Sequence, residues 1–149
     1  MDGFAVKLQM LSDILTKKEE ALQQVLAITE NQHSVLTWDK EEGGRELFAQ
    51  MNARKQELID AVLQYDGMFD NIFRDMGDSF EKQAPGYADV VRNLQKQIKA
   101  VTDLDVKIRV QENFNMDSMP EAKRPNRIDM PKVPVKAALE EYKRHDRKK

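Results

Sequence analysis

From Phe4 to Trp38 the apolar residues of this chain recur at helical spacing, and no Pro or Gly interrupts them. Phe4, Leu8, Leu11, Ile14, Leu15, Leu22, Val25, Ile28, Val35 and Leu36 mark one stripe, and adjacent pairs such as Ile14–Leu15 widen it. At 1.5 Å per residue such a helix is roughly 50 Å long, well beyond the average globular helix. A stripe of that length cannot bury itself. It needs partner helices of similar length, and this requirement governs what the rest of the chain can be.

Two further patterns supply those partners. Gly43–Gly44 punctuates the chain, and the acidic stretch Asp39-Lys40-Glu41-Glu42 before it predicts a loop or a frayed end. Leu47, Met51, Leu58, Val62, Tyr65, Phe69, Ile72, Phe73 and Met76 then continue the helical spacing, with Ala61 and Met68 extending the face. Gly67 lies inside this run. A lone Gly costs about 1 kcal/mol relative to Ala, less than the continued apolar pattern on both sides supplies, so the helix is expected to run through. Gly77 and Ala84-Pro85-Gly86 mark the next break, with Ala84 expected extended because Pro disfavours helical geometry before it. A third pattern runs Tyr87, Val90, Val91, Leu94, Ile98, Val101, Leu104 and Ile108, with Val110 and Phe114 beyond. Apolar residues nowhere alternate as in strands. The fold class read from this is all-α: an elongated antiparallel bundle or coiled coil of three long helices over 1–116.

After Asn115 the character changes. Pro120, Pro125, Pro131 and Pro134 exclude a continuous helix, so 117–149 reads as a flexible, Pro-rich basic tail. A short amphipathic piece, Val135 to Tyr142, precedes the basic end Lys143–Lys149. Through Ser118 there are 14 Lys+Arg against 21 Asp+Glu, a net of −7. From Met119 onward there are 10 against 5, a net of +5, which together reproduce the formal charge of −2. An acidic body repels nucleic acid, and the tail lacks interleaved aromatic residues for stacking bases, so no nucleic-acid partner is expected.

Composition narrows the function classes further. There is no Cys, which removes disulfides, thiol catalysis and thiolate metal sites, and fits a reducing compartment. No run of about 18 apolar residues occurs, so no membrane insertion is expected. Met1-Asp2-Gly3-Phe4 lacks the basic start and apolar stretch of a signal peptide, which makes the expected location cytoplasmic. The eight Met residues serve as gap fillers in the core or as adaptable binding surface. The two histidines, His33 and His145, lie far apart in the chain, and His33 beside Glu30 reads as a solvated pair. Asp103 and Asp105 flank Leu104, and only a buried partner would give either one a role. No phosphate loop, nucleophile elbow or paired-His motif is present. The expectation is a protein that is not an enzyme and has no catalytic, metal or cofactor residues.

Two segments resemble a known family. Asn52-Ala53-Arg54-Lys55-Gln56-Glu57-Leu58-Ile59-Asp60-Ala61-Val62-Leu63-Gln64-Tyr65-Asp66 is similar to the segment opening the second helix of FlgN/FliT-type flagellar export chaperones. Leu94-Gln95-Lys96-Gln97-Ile98-Lys99 followed by Leu104-Asp105 resembles their third helix. The resemblance spans about residues 4 to 114. It implies a cytoplasmic chaperone of type III flagellar export that holds late subunits, hook-associated or filament-cap proteins, unassembled until export. It also implies partner binding by an exposed side of the third helix, at Ile98, Val101, Leu104, Ile108, Val110 and Phe114. The physical counterpart is a client helix laying its apolar stripe against a helical groove. The competing reading is a self-associating scaffold, a homodimer whose faces satisfy one another.

Overall fold

The computed structural model describes residues 3–38 and 42–119. Its elements are α1 (Gly3–Trp38), α2 (Glu42–Met76), α3 (Asp78–Gln83), a 3-10 turn (Ala84–Tyr87) and α4 (Ala88–Asp117). No strand occurs among the described residues. The Pro-rich tail, including Val135 to Tyr142, lies outside them.

Side-chain pairings fix the helix directions. Lys7 pairs with Asp75, Lys18 with Asp66 and Gln32 with Asn52, so α2 runs back along α1. Ser12 bonds Gln97, and the Thr29 carbonyl accepts from Asn115, so α4 runs in the same direction as α1. Consecutive long helices are therefore antiparallel as expected, while α1 and α4 are parallel because the chain reverses twice. Both α2 and α4 lie along α1, and their own backbones stay farther apart. This makes α1 the central helix, which is why its apolar stripe is the widest of the three.

The core repeats every 3.5 residues, the period that keeps one seam facing a partner helix. On α1 the sequestered positions are 4, 8, 11, 15, 18, 22, 25, 29 and 32, alternating fours and threes without a slip. On α2 they are 48, 52, 55, 59, 62, 66, 69, 73 and 76; on α4 they are 91, 94, 98, 101, 105, 108, 112 and 115, all buried or half-buried. A second row on α1, Ile14, Ala21, Ile28 and Val35, recurs every seven residues on the flank that carries the Lys7–Asp75 pair, and so lies on the α2 side. Leu8, Leu11, Leu15, Leu22, Val25, Ile59, Val62, Phe69, Leu94, Val101 and Ile108 are shut off from solvent. Each contributes about 1.5–3 kcal/mol over its exposed state, and their sum holds helices that would fray alone.

An aromatic cluster closes one end. Phe4 lies 6.1 Å from Phe80 and 5.1 Å from Tyr87, and Phe73 lies 5.0 Å from Phe80, ring centre to ring centre. α3 exists to deliver Phe80 into this cluster, which is also why the segment between α2 and α4 is not a loop. Ala84 is helical (φ −53°, ψ −40°) and buried, contrary to the extended geometry expected before Pro85. Pro85 opens a 3-10 turn, where its missing N–H leaves nothing unpaired, and burial of Ala84 against the cluster overrides the local preference. Gly43–Gly44 does not break the chain either: α2 begins at Glu42, so both glycines fall in its first turn, where the amides have no helical partner in any case. α2 does run through Gly67, as the spacing on both sides required.

Gly77 follows α2 with φ +51° and ψ −135°, a sparsely populated backbone conformation that costs an L-residue about 1–3 kcal/mol. A Cβ there meets only the Arg74 carbonyl oxygen at 3.8 Å, so space is not the obstacle. Gly77→Ala is expected to lower stability by about 1–3 kcal/mol in urea denaturation. An unchanged midpoint for Gly77→Ala would show that the turn relaxes into another conformation.

Candidate protein-binding face

The outer side of α4 carries an apolar row that is mostly exposed to solvent. Val106, Val110 and Phe114 stand four residues apart and are 54%, 63% and 54% exposed. Four residues turn a helix by slightly more than one revolution, so the row winds slowly across the face. It ends against α1, where the Phe114 ring lies 4.6 Å from the His33 ring. Exposed Asp103, Lys107, Asn113 and Asp117 surround it, giving an apolar strip with a polar rim.

This arrangement separates the six residues expected to bind a partner. Val110 and Phe114 are on the outer face. Ile98, Val101 and Ile108 are not on an exposed side: they occupy core positions of the seam and are sealed against α1 and α2. Leu104 is half-buried against the same core. The physical reason is period: Ile98, Val101, Ile108 keep the 3.5-residue repeat that faces inward, whereas Val106, Val110 and Phe114 keep a four-residue step that faces outward. Val106 belongs to the row although the spacing argument passed it over. His33 is likewise no solvated partner of Glu30; it is half-buried, and its Nδ1 is shut off from solvent without a hydrogen-bond partner.

Beneath the row the seam is interrupted by three polar layers, with Leu22, Val25, Ile59, Val62 and Ile108 separating the first from the other two. In the first, Lys18 (3% exposed) donates to Asp66 Oδ1 at 2.5 Å. Asp105, close enough to act electrostatically on Asp66, accepts from Arg109 Nε at 2.9 Å. One oxygen of each carboxylate, Asp66 Oδ2 and Asp105 Oδ1, is buried with no partner. In the second layer Lys55, 1% exposed, pairs with Glu112, whose Oε1 lies 3.4 Å from Thr29 Oγ1, a hydroxyl that donates to the Val25 carbonyl at 2.7 Å. In the third, Gln32 Nε2 donates to Asn52 Oδ1 at 2.8 Å, and Asn115 Nδ2 donates to the Thr29 carbonyl at 2.8 Å. Each layer draws on all three long helices, so it holds them in a single register; a slip by one turn would set Lys18 or Lys55 among aliphatic side chains with no carboxylate.

Burial holds the Asp66 carboxyl above its ordinary value of 3.8, and the neighbouring Asp105 adds to this, while the Lys18 ammonium works against both. A carboxyl with a raised folded-state pKa binds its proton more tightly in the folded than in the unfolded chain. Its contribution to stability is complete below 3.8 and is lost as pH rises from there through the raised value. Asn at this position has no proton to lose. Stability of the native chain relative to Asp66→Asn is therefore expected to fall as pH rises through that window, read from urea midpoints at a series of pH values. A difference that stays flat from about pH 3 to about pH 7 contradicts this.

Among the described residues no three His, Cys, Asp or Glu side chains gather as metal ligands, and no helix is long and apolar enough to cross a membrane. No protein-family model, curated protein or solved structure matches the chain.

Proposed function

We propose that this chain is a protein-binding helical module, and specifically a cytoplasmic chaperone of type III flagellar export that shields late structural subunits before assembly. The observation that carries the reading is the exposed row Val106–Val110–Phe114, which offers a client helix an apolar strip on a helix that is already folded. The segments Asn52–Asp66 and Leu94–Lys99 support the narrower family reading through their similarity to FlgN/FliT-type chaperones, although Lys55, Ile59, Leu94 and Ile98 in them serve the core of this bundle. The clients this reading names are hook-associated and filament-cap subunits. Calorimetric titration of the full chain against purified subunits of these kinds tests it, with sedimentation of the chain alone alongside. Saturable binding to one of them supports the chaperone reading. No binding to any, with a tight dimer of the chain itself, would replace it with the self-associating scaffold.

A further inference from the structure

The last two turns of α4 are held to the bundle differently from the rest of it. Ile108 is the last apolar side chain of α4 that is fully buried; beyond it the inward positions are Glu112 and Asn115. The links across the seam there are Lys55–Glu112, Asn115 to the Thr29 carbonyl, and the contact between the His33 and Phe114 rings. At the opposite end the inward positions are aliphatic and aromatic, from Phe4 and Phe80 to Leu94 and Val101, and the polar links of Gln97 to Ser12 and Thr16 lie on their flank. The two ends respond differently to water. Separating aliphatic surfaces forfeits their whole burial energy, whereas separated polar groups regain hydrogen bonds to water. This end also holds two buried atoms with no partner, Gln32 Oε1 and His33 Nδ1, which opening would hydrate.

We propose that Arg109–Asp117 is a detachable arm of α4, latched by Lys55–Glu112, that swings off α1 while the rest of the bundle stays folded. Swinging out uncovers the α1 surface around Val25, Thr29 and His33 and frees Val110 and Phe114 from one fixed orientation. For a partner this widens a narrow strip into a groove on α1, which a second helix fills in place of the arm. That consequence rests on the protein-binding reading above; the detachment itself does not.

Hydrogen exchange followed by mass spectrometry on the full chain, without any partner, tests the latch. Amides of 109–117 are expected to exchange about 100-fold faster than those of 94–106, because local opening spans the range from nearly free to global unfolding. Glu112→Gln, which leaves Lys55 without its counter-charge, speeds exchange in 109–117 and leaves 94–106 unchanged. Lys55→Met/Glu112→Leu, which puts an apolar pair in the same place, slows exchange in 109–117 by about tenfold or more. Ordinary end fraying is confined to the final turn and indifferent to residue 112. Equal protection along α4, or exchange in 109–113 that ignores both variants, overturns the proposal. Should the double variant fail to unfold cooperatively, Glu112→Gln alone decides. Because no client is present, failure here leaves the titration against flagellar subunits to succeed or fail independently.

Discussion

Lys18→Met lowers the stability of the bundle by about 3–5 kcal/mol, a large share of the 5–15 kcal/mol that a domain of this size possesses. Met matches the length and much of the volume of Lys, so the side chain still fills its place in the seam and little cavity forms. What disappears is the cation. Asp66 then keeps a buried carboxylate with no ammonium at 2.5 Å, with Asp105 beside it and Arg109 committed to Asp105. Neither Asp66 Oδ2 nor Asp105 Oδ1 has a spare partner to absorb the change. Urea denaturation of the single and double variants separates the electrostatic loss from packing. Lys18→Met/Asp66→Leu recovers most of the loss, since removing both charges of a buried pair is far cheaper than stranding one. Acid partly rescues the single variant as Asp66 takes up a proton. A loss for Lys18→Met below about 1 kcal/mol, typical of a solvent-screened surface pair, would show that water reaches this layer.

The outline of the bundle was readable because its aliphatic residues obey one period on each helix. Phe4 to Leu36 announced α1, and the second and third runs announced α2 and α4 with no strand between. The polar layers were hidden by the same reasoning. Lys18 fills the gap between Leu15 and Leu22, Asp66 the gap between Val62 and Phe69, and Asp105 the gap between Val101 and Ile108. A search for apolar residues records each gap as a pause in the stripe, although a strict alternation of fours and threes continued through it marks Lys18, Lys55, Asp66, Asp105 and Glu112 as inward-facing. Charge type alone carries no such information, because most Lys and Asp residues are exposed. α3 was concealed for another reason. Its six residues carry one large apolar anchor, Phe80, and nothing local tells that Phe4 and Phe73 wait for it.

The face on α4 was legible only in part, and the missing part is a matter of rotation around the helix. Ile98, Val101, Ile108, Val110 and Phe114 all lie on one helix, and their order alone does not separate core from surface. Knowing that positions 94, 98, 101, 105, 108, 112 and 115 face inward fixes the phase, and Val106, Val110 and Phe114 then fall on the far side. The inward set stabilises the bundle, and the outward set has no such task. Three exposed apolar side chains at four-residue spacing are the feature on which the proposed partner-binding role rests.

Under the proposed chaperone reading, removing that row weakens client binding at least about 100-fold while the bundle stands. Val110→Glu places a charge at a position that is 63% exposed, so stability changes by no more than about 0.5 kcal/mol. In a complex the same carboxylate is carried into an apolar interface without a counter-charge, and no good compensation exists for it. Phe114→Ala removes the largest side chain of the row; an aromatic anchor of this kind contributes about 2 kcal/mol or more, roughly 30-fold in affinity. Its tilted ring contact with His33 makes the change slightly costly to the free protein as well, by about 1 kcal/mol. The double variant is therefore expected to bind a flagellar subunit at least about 100-fold more weakly than the native chain in calorimetric titration, with its helical circular dichroism retained. Gln23→Glu, an equal charge change on the exposed side of α1, serves as the control and leaves affinity unchanged. Should a subunit bind the double variant as tightly as the native chain, the client sits elsewhere on the bundle and the row on α4 has no part in holding it.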